Sequence, residues 1–123
     1  MIQIKAKSNN ITEIDILGDI GESFWGESIT LETIKAQVDQ LSGDIIVNVS
    51  SLGGNAFEGL AIHDLLKTYS KGTVTTNIIG ATASAGTFIA VSGSHVKMAS
   101  NALFLIHNSH TIAIGNSSEL RKT

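Results

Sequence analysis

The sequence of 123 residues contains no cysteine and no proline, and only 15% of its residues are charged. Without cysteine the chain has no disulfide framework, no thiolate metal site and no cysteine nucleophile. The 8 basic and 11 acidic residues give a net charge of −3, and the basic residues form no cluster, so nothing favours nucleic-acid binding. A surface this poor in charge favours contacts with partner chains over a lone monomer.

Long apolar runs are also missing from the sequence. Residues 1–5 lack the apolar stretch of a signal peptide. No run approaches the roughly 18 apolar residues that a membrane-spanning helix needs. We therefore expect no membrane association and a cytoplasmic location. The length suits one domain that covers residues 1–123.

The hydrophobic pattern predicts strands that alternate with helices. Residues 11–17 alternate apolar and polar side chains, as in a half-buried strand, whereas 44–49 form a nearly continuous apolar run typical of a strand buried on both faces of a parallel sheet. Further strands are predicted at 74–79, near 95–98 and at 103–107. Strands and helices that alternate at this spacing predict an α/β fold with right-handed crossovers.

Three helices are predicted between these strands, at 30–41, 56–69 and 84–92. The first has Thr30 as its N-cap and Gly43 after its end, and its apolar face is expected to contain Leu31, Ile34, Val38 and Leu41. The second is expected to point Phe57, Leu60, Ala61 and Leu65 inward.

Ser84 is the candidate nucleophile. It lies among alanine and glycine residues directly after the apolar run 74–79, which predicts a strand that ends in a tight turn and opens a helix. A hydroxyl group at such a turn is exposed beside the free N–H groups of the helix start. Spacing alone favours another role, a small residue that lets helix and strand pack closely.

His107 is the candidate general base, because it ends a second apolar run 23 residues after Ser84 (107 − 84). An imidazole that titrates near neutral pH can accept the serine proton and return it to the leaving amine. His63, His95 and His110 are interpreted as surface or backbone-bonded residues. His107 and His110 without an acidic neighbour are a weak metal signal, so we expect no metal or other cofactor.

Gly53 and Gly54 follow the predicted strand 44–49 and form the candidate oxyanion site. A tetrahedral intermediate needs preorganised N–H donors, and glycine lets the backbone approach a substrate without a Cβ atom in the way. The same glycine pair also suits an ordinary strand-to-helix turn. Neither of the two common phosphate-loop patterns occurs in the sequence.

Taken together, three motifs resemble the ClpP-type serine proteases. They are Gly80-Ala81-Thr82-Ala83-Ser84-Ala85-Gly86, the strand that ends in Ile106-His107, and the segment 48–62 around Leu52-Gly53-Gly54-Asn55. Gly18-Asp19-Ile20-Gly21 and Phe24-Trp25-Gly26 resemble the first strand and loop of the phage branch, the prohead (head maturation) proteases.

The resemblance implies a ClpP/crotonase-like fold of repeated ββα units and a Ser-His-Asp acyl-enzyme mechanism. It assigns Ser84 as nucleophile, His107 as base, and the backbone N–H groups of Gly54 and Ala85 as oxyanion donors. The polypeptide substrate is expected to bind as an added strand along residues 52–56, which places Gly53 and Asn55 in the binding site. A ring-like homo-oligomer that processes scaffold and capsid proteins, in the host cytoplasm or procapsid, is the implied context.

Two departures from the family pattern stand out. Leu52 replaces the usual proline, which affects turn rigidity more than chemistry. The aspartate that orients the histidine lies in a later segment that this chain does not contain, and Asp15, Asp44 and Asp64 all precede the histidine. Residues 116–121 predict a helix start, so we expect a chain truncated before its C-terminal helix and acid-bearing segment, and nearly inert by itself.

Two alternatives remain open from the sequence. A crotonase-like enzyme that acts on acyl-coenzyme A thioesters would share the fold and the glycine-rich N–H donors, without needing the serine–histidine pair. A shell or scaffold subunit would keep the fold without activity.

Overall fold

The computed structural model describes residues 1–8, 10–23, 28–107 and 112–115, and only the backbone of 106–107 and 112–115. It contains a five-stranded sheet in the order β1-β2-β3-β4-β6. These strands are β1 (Ile2–Ser8), β2 (Ile11–Leu17), β3 (Asp44–Ser50), β4 (Val74–Ile78) and β6 (His95–Met98). β1 pairs antiparallel with β2, and the other pairs are parallel. The predicted α/β class is therefore confirmed.

A second, three-stranded sheet has the order β5-β7-β8. It is made of β5 (Ala81–Ala83), β7 (Leu103–His107) and β8 (Ile112–Gly115). The sequence pattern does not predict β5, because it leads from the apolar run 74–79 directly to the turn at Ser84. Instead, Gly80 turns the chain with φ +61°, so that Ser84 follows a short strand of the second sheet. β1 and β8 also escaped prediction.

Three helices occur in the described part of the chain: α1 (Leu31–Val38), α2 (Ala56–Lys67) and α3 (Ala85–Ala90). Thr30 caps α1, as predicted, because its hydroxyl accepts a hydrogen bond from the Thr33 N–H. α1 ends at Val38, so Gly43 does not close it; with φ +83°, Gly43 belongs to the turn that leads into β3. None of these helices is long and apolar enough to cross a membrane.

The helices pack on one face of the larger sheet, and the opposite face carries polar side chains. The core between them contains buried residues of β2, β3 and all three helices, among them Ile16, Val47, Val49, Ile34, Ile62 and Ile89. On the other face Asn48 Nδ2 donates to Asp15 Oδ1 at 2.8 Å, and Asn77 Nδ2 donates to Asn48 Oδ1 at 3.0 Å. The prediction that β3 is buried on both faces is therefore wrong.

α2 is rotated from its predicted orientation. Phe57 is 84% exposed and Leu60 is 49% exposed, whereas Gly59, Ile62 and Leu66 are buried. The cause is the close approach of α2 to α3, since a Cβ atom on Gly59 would lie 2.9 Å from the carbonyl oxygen of Ala85. Gly59 therefore determines which face of α2 is buried, and the prediction from the hydrophobic pattern, with Phe57 and Leu60 inward, is wrong.

This orientation of α2 predicts unequal losses of stability when its two large apolar residues Ile62 and Phe57 are replaced by alanine. Ile62→Ala should lower the free energy of unfolding by about 2–5 kcal/mol, because it leaves a cavity in the core. In the monomer, Phe57→Ala should change the free energy of unfolding by less than about 0.5 kcal/mol, because that side chain is 84% exposed on a single chain. Urea denaturation of both variants measures this, and equal losses would contradict the orientation of α2.

Candidate active site

Ser84 lies at a sharp turn between β5 and α3. Its φ of 53° and ψ of −128° make it the one non-glycine residue with positive φ in the described part of the chain. Its carbonyl oxygen accepts hydrogen bonds from the Thr87 N–H at 3.0 Å and from Thr87 Oγ1 at 2.6 Å. Ser84 is exposed while Ala83 and Ala85 are buried. A strained, exposed serine between a strand and a helix is the geometry of a nucleophile elbow.

The glycine pair lies directly against this turn. A Cβ atom built on Gly53 would be 2.7 Å from Ser84 Cβ, 3.2 Å from Ser84 Oγ and 3.3 Å from the Ala85 nitrogen. Gly53 and Gly54 have φ of +115° and +136°, which side chains other than glycine rarely allow. The structure therefore brings together Ser84, Ala85 and the two glycines that the sequence selected.

Among the described residues, the extended segment around Gly54 forms backbone hydrogen bonds along one edge, to Ile20. The Ile20 N–H donates to the Gly53 carbonyl oxygen, and the Asn55 N–H donates to the Ile20 carbonyl oxygen, both at 2.9 Å. Because successive peptide groups of an extended segment alternate in direction, the N–H of Gly54 points away from Ile20. Within the described ranges neither this N–H nor that of Ala85 meets an acceptor. These two donors directly follow Gly53 and Ser84, which lie against each other, and an oxyanion site requires N–H donors near the nucleophile.

His107 ends a strand that pairs with the strand before Ser84. β7 runs parallel to β5, and Ala83 is opposite Leu105. His107 is two residues past Leu105 at the end of β7, and Ser84 is one residue past Ala83 at the end of β5, so the two residues follow paired positions of neighbouring strands. The side chain of His107 lies outside the described residues, as do His110, Phe24-Trp25-Gly26 and the predicted helix start at 116–121.

Ser51 is a positioning residue that the sequence reasoning missed. It is 2% exposed, and its Oγ accepts a hydrogen bond from the Gly53 N–H at 3.2 Å. Its carbonyl oxygen accepts from the Ala83 N–H at 2.9 Å, so one residue ties the glycine turn to the strand before Ser84. A serine that bonds the N–H two residues on is a recognised turn pattern, and its place before Leu-Gly-Gly was the available signal.

Of two other residues in the predicted binding segment, Asn55 caps a helix and Leu52 is exposed to solvent. Asn55 is the N-cap of α2, and its Oδ1 accepts a hydrogen bond from the Glu58 N–H at 3.0 Å. Glu58 in turn accepts from the Leu31 N–H through Oε2 at 2.6 Å, which links the starts of α1 and α2. Leu52, where the family pattern has proline, is 68% exposed beside Gly53. Asn55 thus fixes the direction in which the chain leaves the glycine pair.

The acidic residues that precede the motifs have partners away from Ser84. Asp15 bonds Asn48 on the polar sheet face, Asp44 Oδ1 accepts from the Thr73 N–H at 2.9 Å, and Asp64 lies 3.1 Å from His63 Nδ1. His95 is exposed on β6. The described residues contain no group of three or more His, Asp or Glu side chains that could hold a metal ion.

The backbone strain at Ser84 gives a stability prediction. Ser84→Gly should be about 1 kcal/mol more stable than Ser84→Ala, since glycine adopts positive φ without steric cost whereas alanine keeps the strain. Both variants lack the hydroxyl, so the comparison isolates the backbone. Thermal or urea unfolding measures the difference, and an alanine variant at least as stable as the glycine variant would show that the turn is unstrained.

Comparison with known proteins places this geometry in a family. A family model described as Clp protease matches residues 3–123. The chain is 32% identical over 106 residues to the ATP-dependent Clp protease proteolytic subunit of Leuconostoc citreum, covering 85% of this chain and 52% of the relative. It is 36% identical over 88 residues to the protein of the same name from Streptococcus mutans, covering 70% of this chain and 44% of the relative.

Solved structures agree with the sequence relatives. ClpP1 from Listeria monocytogenes superposes with a TM-score of 0.66 at 29% identity, covering 77% of this chain and 55% of that structure. The chain therefore spans about half the length of the curated relatives and solved structures that it matches. The predicted ClpP-like fold is confirmed over that part.

Proposed function

This chain belongs to the Clp protease family, and we propose that it carries the nucleophile, the base and the oxyanion donors of a serine endopeptidase. The observation that carries the proposal is the strained, exposed Ser84 with Gly53 packed against it. The N–H groups of Gly54 and Ala85, which meet no acceptor among the described residues, follow directly after Gly53 and Ser84. A nucleophile, a general base and oxyanion donors each suit acyl transfer, and together they are what amide hydrolysis requires.

The mechanism follows from these parts. Ser84 Oγ attacks the carbonyl carbon of the scissile peptide bond while the imidazole of His107 takes the hydroxyl proton. The negative charge that develops on the carbonyl oxygen is held by the N–H groups of Gly54 and Ala85. His107 then protonates the leaving amine, which leaves an acyl group on Ser84. A water molecule, deprotonated by His107, hydrolyses that ester and restores the serine.

The substrate is proposed to bind as an extended strand along the glycine pair. Ile20 occupies one edge of the segment, and the peptide groups of Gly54 are directed to the other edge. A peptide aligned there would present its carbonyl carbon to Ser84, because Gly53 is in contact with that serine. Gly53 and Asn55, on either side of Gly54, are proposed to line its path.

For the biological role we propose the finer assignment, a head maturation protease that processes phage scaffold and capsid proteins. Its support is the resemblance of Gly18-Asp19-Ile20-Gly21 and Phe24-Trp25-Gly26 to the phage branch. Co-expression with phage capsid and scaffold proteins tests the role. Ser84-dependent shortening of those proteins, found by intact mass, is expected. Their survival at full length while a denatured substrate is degraded would overturn the role but not the activity.

A homo-oligomer is proposed for the working state of the protein. Helix α2, helix α3 and the residue that caps α3 expose large apolar side chains, namely Phe57, Leu60, Phe88 and Val91. A second copy of the chain would cover them, which agrees with the low charge of the whole surface. Light scattering of the protein and of a Phe57→Ser variant tests this; a monomer in both cases would contradict it.

The endopeptidase activity is tested with an unfolded protein substrate. The protein in its longest natural form should cleave denatured casein, and Ser84→Ala should abolish the cleavage. Equal cleavage by both would assign the activity to a contaminant or another site. No cleavage by either would favour the inactive shell or scaffold subunit.

A further inference from the structure

An open hollow lies at the carboxyl ends of β2, β3 and β4, next to the glycine pair. Its volume is about 530 Å³, which is within the range of pockets that bind small ligands or large side chains. Its walls come from three segments of the chain, 17–19, 50–52 and 79–81, and their aliphatic side chains are Leu17, Leu52, Ile79 and Ala81. No step of the proposed mechanism uses this hollow.

The hollow lies close to Ser84. Leu52 is adjacent to Gly53, which contacts Ser84, and Ala81 precedes Ser84 by three residues of extended chain. At about 3.3 Å per residue, that extended stretch spans roughly 10 Å. A substrate in extended conformation at Ser84 would therefore place over the hollow a side chain about two or three residues from the scissile bond.

The lining of the hollow carries a single charged side chain, which is acidic. Asp19 is the one charged side chain in its lining, and it is exposed. Among the described residues Asp19 forms no ion pair, whereas Lys5, Lys7 and Lys35 are each paired with a carboxylate elsewhere. The amino group of Met1, the nearest cation along the pairing of β1 with β2, donates to the carbonyl oxygen of Leu17. In the described part of the chain, therefore, no lysine, arginine or histidine side chain neutralises the Asp19 carboxylate.

We infer that this hollow is a subsite for a lysine or arginine side chain of the polypeptide substrate, an inference that rests on the proposed endopeptidase function. The aliphatic stem of such a side chain packs on Leu17, Leu52 and Ile79, and its cationic head meets the carboxylate of Asp19. Long basic side chains combine an apolar stem with a charged tip in this way. An acidic side chain at that position is repelled.

Peptide binding to a form that cannot cleave tests the subsite independently of catalysis. The Ser84→Ala protein is titrated with fluorescent peptides in which lysine or norleucine is moved through three positions on each side of a central residue. Norleucine keeps the aliphatic stem and lacks the charge. At one position the lysine peptide should bind about fivefold more tightly at low ionic strength, a preference that salt weakens.

Two further variants, each combined with Ser84→Ala, assign the preference to Asp19. Asp19→Asn should abolish it, whereas Glu22→Gln, which removes an exposed charge from the same segment, should keep it. The proposal is overturned if the two peptides bind equally at every position, if neither binds, or if the preference survives Asp19→Asn. Labelling of Ser84 by a fluorophosphonate in the unmodified protein is measured in parallel. If Ser84 is labelled but no lysine preference is found, the subsite is contradicted and the catalytic function is not. If the lysine preference is found but Ser84 is not labelled, the catalytic function is contradicted and the subsite is not.

Discussion

Replacing Gly53 by alanine should reduce the rate of peptide hydrolysis by about 100-fold or more, although the protein still folds. The new methyl group would lie 2.7 Å from Ser84 Cβ and 3.3 Å from the Ala85 nitrogen, so either the serine or the oxyanion donor must move. Losing one oxyanion donor, or misplacing a reacting group by about 1 Å, costs a factor of this size. Values of kcat/KM with a fluorogenic peptide measure the loss.

Gly21→Ala is the matched control for this variant. Gly21 has φ of +123°, close to the +115° of Gly53, so alanine meets similar backbone strain at both positions. At Gly21, however, the added Cβ has its nearest neighbour at 3.4 Å, which is ordinary contact. Both variants should lose about 1–3 kcal/mol of stability from backbone strain. Gly53→Ala should lose more of it because its methyl group also meets Ser84, and only Gly53→Ala should lose most of its activity. Equal activity of the two variants would contradict the site geometry.

Replacing His107 by glutamine should lower kcat by about a thousandfold with little change in KM. A general base contributes a factor of this order to the chemical step and does not hold the substrate. β5, which ends just before Ser84, pairs with β7, which ends at His107. His95→Gln, on the exposed edge strand β6, is the control and should keep full activity. If His107→Gln has the same kcat as His95→Gln, His107 is not the general base.

Local patterns predicted most strands and the helix cap, because each depends on a few adjacent residues. The alternation at residues 11–17 and the apolar runs near 95–98 and 103–107 each correspond to an observed strand, and Thr30 caps α1. The position of Ser84 at the start of a helix was also predicted from its small neighbours. Its strained φ was not, since strain is imposed by the packing of Gly53 and Ser51 around the turn.

Features that depend on contacts between distant segments could not be predicted. β5 exists because Gly80 redirects the chain to pair with β7, which lies some twenty residues further on. α2 turns its glycine rather than Phe57 toward α3, since only a residue without a Cβ atom permits that approach. Ser51 ties two loops through hydrogen bonds to Gly53 and Ala83 that no single-segment pattern encodes.

The central claim is that Ser84 is an activated nucleophile, and intact mass after exposure to a fluorophosphonate tests it most directly. The protein in its longest natural form should gain the mass of one phosphonyl group. Ser84→Ala should gain none, and Gly21→Ala should react like the unmodified protein. Such an adduct would also argue against a crotonase-like acyl-coenzyme A enzyme, which needs no activated serine. An unmodified protein that stays unlabelled while folded, or an adduct that persists in Ser84→Ala, would contradict the account.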